Sequence, residues 1–449
     1  MLTLYKKPLL IATLLILNSA PVTATENNSY NLQQAIDHAL IYNPNLQIMQ
    51  ERIAQAEAQL DIALSGFYPS IKTSLSYTHT TNPSRAFSMI ISQRRLDLSP
   101  NPSIDFNNPG GIDNYRPEVT ARYSLFRGGQ DYYNSKAAQL GVEAATLNKS
   151  AVRNQLIQTV SSTFYAYLAS IEIDHVSDRS IEAVKNELKQ SKNKYLAGSL
   201  LKSDVLTLQV QLAEAQDIKI QTSNAIELSK ANLKSLLGIT ADEAFDVNAS
   251  TEWTIPQIDN SFSDLLTVAM NQRPEIQVAN KQIVIAKQQL NAAKGTYLPK
   301  ADAYVSYGSD SKDLDYNTNR DNVTAGVIVE LDIFSGFRNS SKIKKAEHQL
   351  AIAQKSAKQT QLIIENSVKS AHLKVIEALT RIKVTSSAVT ASEEALRLVN
   401  EQRKAGTVTV TRYIEAEVAR DKSHARDIAA KFDALRAEAE LNRAIGVWK

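Results

Sequence analysis

Histidine, cysteine and clustered acids are the side chains most able to do chemistry, and here none falls into a working pattern. The six histidines, His38, His79, His175, His348, His372 and His424, lie too far apart to share a metal at the short spacings that ligands on one helix require. Cysteine is absent, which removes disulfides, thiolate metal sites, a thiol nucleophile and a lipid-modified N-terminal cysteine. No nucleophile elbow, phosphate-cradling glycine loop or zincin pair occurs. The stretch YGSDSKDLDYNTNRDN, from Tyr307, is acidic enough to suggest calcium. It lacks the alternating ligand order of an EF-hand, so it reads as a solvated loop. The expectation is a protein that is not an enzyme and uses no cofactor and no metal. Lys and Arg total 50 and Asp and Glu 47, a net charge of +3, with no concentrated basic face for nucleic acid.

Two stretches point to architecture instead. YLAGSLLKSDV holds Gly198 and RKAGTVTVTRY holds Gly406, 208 residues later, each within a long proline-free run. The same offset joins SLFRGG at Ser124 to DIFSGF at Asp332, and Leu237-Gly238-Ile239 to Ile445-Gly446-Val447. Upstream, Asn43-Pro44 matches Arg273-Pro274 and Tyr68-Pro69 matches Leu298-Pro299, both 230 apart. The halves therefore align nearly end to end and differ by a 22-residue insertion between Pro69 and Phe126. A period this long means duplication of a whole structural unit, not a solenoid. The expected boundaries are a first repeat over 25–240, a linker over 241–260 and a second repeat over 261–449.

Each repeat carries two alternating segments, expected as strands over 68–80 and 116–127, then 297–309 and 322–335. Ile71, Thr73, Leu75 and Tyr77 oppose Ser70, Lys72, Ser74 and Ser76, and the other three segments alternate likewise, with Ile328 the clear exception. Period two fits a sheet with one apolar and one polar face. A soluble half-buried sheet would alternate too. Two features favour a membrane: strands of about ten residues, long enough to cross when tilted, and a polar face bearing Lys72, Arg122, Lys300, Glu330 and Asp332, as a wet lumen would. Four strands cannot close, so a barrel needs several copies.

The runs after Gly129 and Gly336 would each form a helix of roughly 100 Å, suited to coiled-coil packing rather than a globular core. In the return helix Val205, Leu208, Leu212 and Ala215 follow a seam spacing. Gly198 and Gly406 then mark hairpin tips, with Ser203 or Thr411 expected to cap the returning helix. Residues 1–24 read as a secretory signal peptide: Lys6 and Lys7, a short apolar core, and Val22-Thr23-Ala24 at the cleavage site. The rival reading is an exported structural coiled coil such as an adhesin stalk, which has no need of alternating strands.

The duplicated plan, the FRGG and FSGF turns and the paired tips resemble the TolC-like outer membrane factor family, over nearly the whole mature chain. YLAGSLLKSDV is similar to that family's tyrosine-x-x-glycine turn followed by a Ser/Thr-Asp-Val step. The resemblance implies an α+β membrane protein: a homotrimer whose twelve-stranded β-barrel, four strands per chain, sits in outer-membrane lipid and continues into an α-helical coiled-coil barrel through the periplasm. It implies a passive exit duct for efflux or type I secretion, working with a periplasmic adaptor and an inner-membrane transporter. Docking is expected at the tips: Tyr195, Gly198, Ser199 and Leu200, then Gly406, Thr407 and Val408. The family closes its periplasmic end through tyrosine, arginine and aspartate contacts. Asp204 matches, but Arg403, Val408, Arg412 and Glu415 depart from the pattern. The expectation is that Arg403 or Arg412 pairs with Asp204 of a neighbouring hairpin, and that Glu415 rings the constriction and favours cations. The chain ends three residues past Gly446, so no C-terminal extension is expected to carry partner specificity.

Overall fold

The structure is a computed structural model that describes residues 29–100, 104–105, 107–248, 253–258 and 260–448. The expected signal peptide lies outside the described residues. In chain order the first half holds β1 (Ser29–Tyr30), α1 (Leu32–Tyr42), α2 (Pro44–Leu64), β2 (Ser70–Thr80), α3 (Pro83–Ser92), β3 (Ile112–Arg127), α4 (Gln130–Leu196) and α5 (Lys202–Leu237). After β4 (Asp246–Val247) the second half holds α6 (Phe262–Gln272), α7 (Pro274–Lys294), β5 (Lys300–Ser309), β6 (Asp321–Glu330), α8 (Arg338–Lys404) and α9 (Val410–Ile445). The repeat is matched in length: α4 and α8 have 67 residues each, and α5 and α9 have 36 each. Only α3, inside the insertion, has no α-helical counterpart among the described residues.

The long helices pack as two hairpins, α4 with α5 and α8 with α9, and α4 also touches α9. The expected seam is present: Val205, Leu208 and Ala215 are buried, and Leu212 packs against them. Each 36-residue return helix is too short to match its 67-residue partner, and α2 or α7 makes up the difference. Asn43 performs that splice. Its side chain accepts from the Asn45 amide at 2.9 Å, capping α2, and donates to the Leu236 carbonyl at 2.8 Å, closing the end of α5. Gly238 sits at φ +75°, and a Cβ there would meet the Tyr42 carbonyl oxygen at 2.6 Å. In the second half Arg273 donates to the Ala444 carbonyl at 3.2 Å and is held by Glu275 at 2.6 Å.

At these splices the chain builds its two largest apolar cores. Ala35, Ala39 and Leu46 pack on Val160, Phe164, Leu233 and Leu237. Leu265, Ala269 and Ile276 pack on Val368, Ala371, Leu441 and Ile445. The segment expected as a linker over 241–260 is held into this region. It carries β4, which pairs in parallel with β1, and Trp253, whose ring lies 5.3 Å from that of Phe432.

The four longer strands form one antiparallel sheet in the order β2-β3-β5-β6. Register aligns the alternation across all four. Ile71, Ala121, Val305 and Ala325 form one row, and Thr73, Val119, Tyr307 and Val323 another. Between them runs Lys72, Thr120, Ser306 and Thr324. The apolar face is bare: Ile71 is 73% exposed and Val323 67%. Aromatic side chains are exposed at both margins, Tyr68 and Phe334 near the helices and Tyr77 and Tyr316 at the far end. β2 and β5 start two and three residues later than expected, because a 3-10 turn precedes each, β6 starts one residue earlier, and two other limits move further. β3 starts at Ile112, because β2 pairs with it as far as Thr80. β6 ends at Glu330 rather than 335, because its partner β5 begins at Lys300 opposite Glu330. Phe337 takes the left-handed conformation, φ 62°, that Gly129 supplies in the first half.

Candidate functional site

Both hairpin tips end in the same backbone motif. The Ser199 amide bonds to the Lys194 carbonyl and the Gly198 amide to that of Tyr195, each at 2.9 Å. Thr407 to Gln402, at 3.0 Å, and Gly406 to Arg403, at 3.2 Å, repeat the pattern. This is the Schellman closure, which needs a left-handed residue, and Gly198 and Gly406 both have φ +75°. Ser199 and Thr407 add hydroxyl bonds to the same carbonyls, each at 3.0 Å. Leu200 and Val408 fold back into the small apolar cores beneath the tips. Tyr195 is 40% exposed.

The expected caps are corrected. Ser203 and Thr411 lie inside the returning helices, one residue past their first positions. The N-cap of α9 is Thr409, whose hydroxyl accepts from the Arg412 amide at 3.2 Å. Its counterpart in α5 is Leu201, which has no side chain able to cap.

Within the chain, Arg403 and Arg412 both have acidic partners. Arg403 is buried and bound within its own chain: Nη2 lies 3.1 Å and Nε 3.2 Å from Glu187 Oε1, and Nη2 donates to Ser191 Oγ at 3.3 Å. Glu187 and Ser191 stand on α4 and Arg403 on α8, so this contact ties the first hairpin to the second. Within the chain Arg412 pairs with Glu415 at 3.2 Å, both exposed. Asp204 is half-buried, and among the described residues its side chain has no hydrogen-bond or ion-pair partner.

A second layer lies just above, on α9. Tyr413, Glu417 and Asp421 follow one another at i, i+4 spacing, with Arg420 bound to both Glu417 and Asp421. Glu417 is 3% exposed. Burial pushes its carboxyl above the ordinary carboxylate range, opposed by Arg420. Burial, then the charges of Glu417 and Glu187, push the Tyr413 phenol up as well. Sequence reading missed Glu187, Ser191, Tyr413 and Glu417. The signal available was a polar residue at a seam position, such as Glu417 four residues after the apolar-facing Tyr413. The layer can clamp two hairpins by charge, and it presents no nucleophile beside a base.

The other candidate groups are used structurally. Asp310 pairs with Arg116 at 2.5 Å, Asp315 with Arg320 at 2.7 Å, and Tyr307 donates to Asp321 at 2.9 Å, so three acids of the loop after Tyr307 are held by protein partners. His38 contacts the Leu237 carbonyl, His79 pairs with Asp113, and His424 with Glu393. Among the described residues no group of three His, Asp or Glu could hold a metal.

A bare amphipathic sheet joined to helical hairpins of about 100 Å defines a class: an outer-membrane protein whose helices stand in the periplasm. The model of the family described as "Outer membrane efflux protein" matches residues 35–239 and 265–447, one segment in each repeat, and the chain belongs to that family. Among its relatives, protein CyaE of Bordetella pertussis is 24% identical over 74% of this chain and 66% of its own length. Outer membrane efflux protein BepC of Brucella suis is 22% identical over 91% of this chain and 83% of its own. In fold, the chain is similar to a membrane protein from Pseudomonas aeruginosa, with a TM-score of 0.79 over 92% of this chain and 93% of that one, at 18% identity.

Proposed function

We propose that the protein is a passive exit duct, three copies of which close a twelve-stranded barrel through the outer membrane and a helical tube beneath it. The observation that carries this reading is the sheet: its apolar rows are exposed, and its edges β2 and β6 have no strand partner among the described residues. An open edge in lipid leaves backbone groups unsatisfied, at several kcal/mol each, so the edges must be closed by other copies. Three copies supply an even number of strands with a lumen lined by the polar rows. A coiled-coil stalk would have no use for such a sheet. Solute would pass from the hairpin tips to the cell exterior, handed over by an inner-membrane transporter through a periplasmic adaptor docked on the tips around Tyr195, Gly198, Ser199 and Leu200 and around Gly406, Thr407 and Val408. The duct does no bond chemistry, takes no cofactor and binds no nucleic acid. The cargo is a small molecule or an unfolded protein, since its choice belongs to the transporter.

The tips would form the periplasmic gate. Arg403 with Glu187 locks the two hairpins of one copy together, and Arg412 with Asp204 of the next copy completes the ring, with Glu415 at the constriction favouring cations. Extraction from outer membranes in mild detergent, followed by sizing and planar-bilayer recording, tests the duct. A trimer with small, cation-selective conductance is expected. A water-soluble monomer with no conductance would contradict the reading.

A further inference from the structure

Within the insertion that breaks the repeat symmetry, α3 lies against the polar face of the sheet. Even-numbered residues of β2, β3, β5 and β6 form the polar rows, as Lys72, Thr120, Ser306 and Thr324 do. α3 docks on that same parity. Ala86 and Ile90, both fully buried, pack against Ile112. Gln93, just past the helix end and 1% exposed, donates to the Asp113 carbonyl at 2.7 Å and to Asn114 Oδ1 at 2.9 Å. Asn114 in turn donates to Asp310 Oδ1 at 2.7 Å, and Asp310 Oδ2 binds Arg116 at 2.5 Å. A buried, connected polar chain thus fixes α3 on the face of the sheet that carries the polar rows, at the end far from the helices.

On the exposed side of α3 Arg85 stands beside Phe87 and Ile91, and Arg94 and Arg95 follow in the turn after the helix. Pro83 to Arg95 holds Arg85, Arg94 and Arg95 and no acid. Arg85 and Arg94 are exposed, with no ion-pair partner among the described residues. Arg94 occupies the left-handed position of the turn that ends α3, φ 54°, where glycine is favoured. The turn is a Schellman closure, with the Arg94 amide on the Ile91 carbonyl at 2.9 Å and the Arg95 amide on that of Ile90 at 3.0 Å. A bulky residue held in that conformation is strained, which makes its side chain a candidate for function.

Size turns this into a constriction. Twelve strands about 4.8 Å apart and tilted by about 40° enclose a cylinder about 24 Å across between backbones. A helix with its side chains is about 10–12 Å wide, so three fill most of that circle. We propose that α3 of each copy converges across the outer mouth as a second constriction, and that Arg85 and Arg94 form a ring there that binds polyanionic solutes. The proposal rests on the trimeric duct.

The chain has no cysteine, so a single Ser88→Cys, on the exposed side of α3, reports convergence directly. Oxidation of the purified trimer should give covalent dimers. In a planar bilayer, tripolyphosphate added on the extracellular side should block the wild-type current. The Arg85→Gln/Arg94→Gln double variant should be blocked at least tenfold less well. No cross-link would overturn the convergence of α3, and equal block of both proteins would overturn the basic ring. A wild-type protein that forms no trimer and carries no current would instead overturn the duct reading.

Discussion

Arg403 and Glu187 are each about a tenth exposed, and they join helices far apart in sequence. Breaking one side of a buried pair leaves a charge without a partner, at about 3–5 kcal/mol. Arg403→Ala should therefore loosen the tips and raise the open probability of single channels. The Glu187→Ala/Arg403→Ala double variant should cost less than the sum of the singles, and strict additivity in a double-mutant cycle would show that the two do not interact. Glu417 makes a pH prediction. Folding raises its pKa, so the folded protein holds that proton more tightly than the unfolded one. The stabilising contribution is complete below the ordinary carboxylate value and is lost as pH climbs through the raised one. Glu417→Gln should thus melt higher than wild type at about pH 8, and that advantage should shrink as pH falls towards the ordinary carboxylate value. Arg420 keeps Asp421 at 2.7 Å in the variant. An advantage constant across this range would exclude titration of Glu417. The sequence exposed Arg403, Arg412, Asp204 and Glu415 as charges near a tip. It hid the Arg403–Glu187 bond, because residues 216 apart meet only through the packing of one hairpin on the other.

Helix lengths, seams and tip glycines were legible because their causes are local: proline-free runs, apolar spacing, and a left-handed residue that glycine supplies at no steric cost. The splice between α5 and α2 was not legible. Asn43-Pro44 reads as a joint, yet nothing in the sequence says that Asn43 also closes a helix ending at Leu237. Asn43→Ala should remove a cap worth about 1 kcal/mol and leave the part-buried Leu236 carbonyl without its partner, for up to about 1 kcal/mol more. Limited proteolysis should then cut near 238–245 faster than in wild type. An unchanged cutting rate would reduce Asn43 to a simple turn residue. The capping serine was misplaced by two residues, since helix starts are set by the tip closure upstream as much as by the capping side chain. The strands were found because period two survives without any partner. Their ends moved because pairing, not pattern, decides where a strand stops.

Among the described residues, the chain leaves aligned apolar rows exposed on the sheet and its largest buried cores at the splices. This division suits a protein that folds its helices against itself and completes its sheet with copies of itself. The proposed duct requires that β2 of one copy pair with β6 of the next until three copies close. The cysteine-free chain permits a direct test: one cysteine on β2 and one on β6, scanned over neighbouring positions and oxidised in outer membranes. The expected result is a ladder of covalent monomer, dimer and trimer that stops at three, with a circular trimer for the best-matched pair. A ladder that ends at two or runs on past three, or no inter-copy bond at any position, would contradict it.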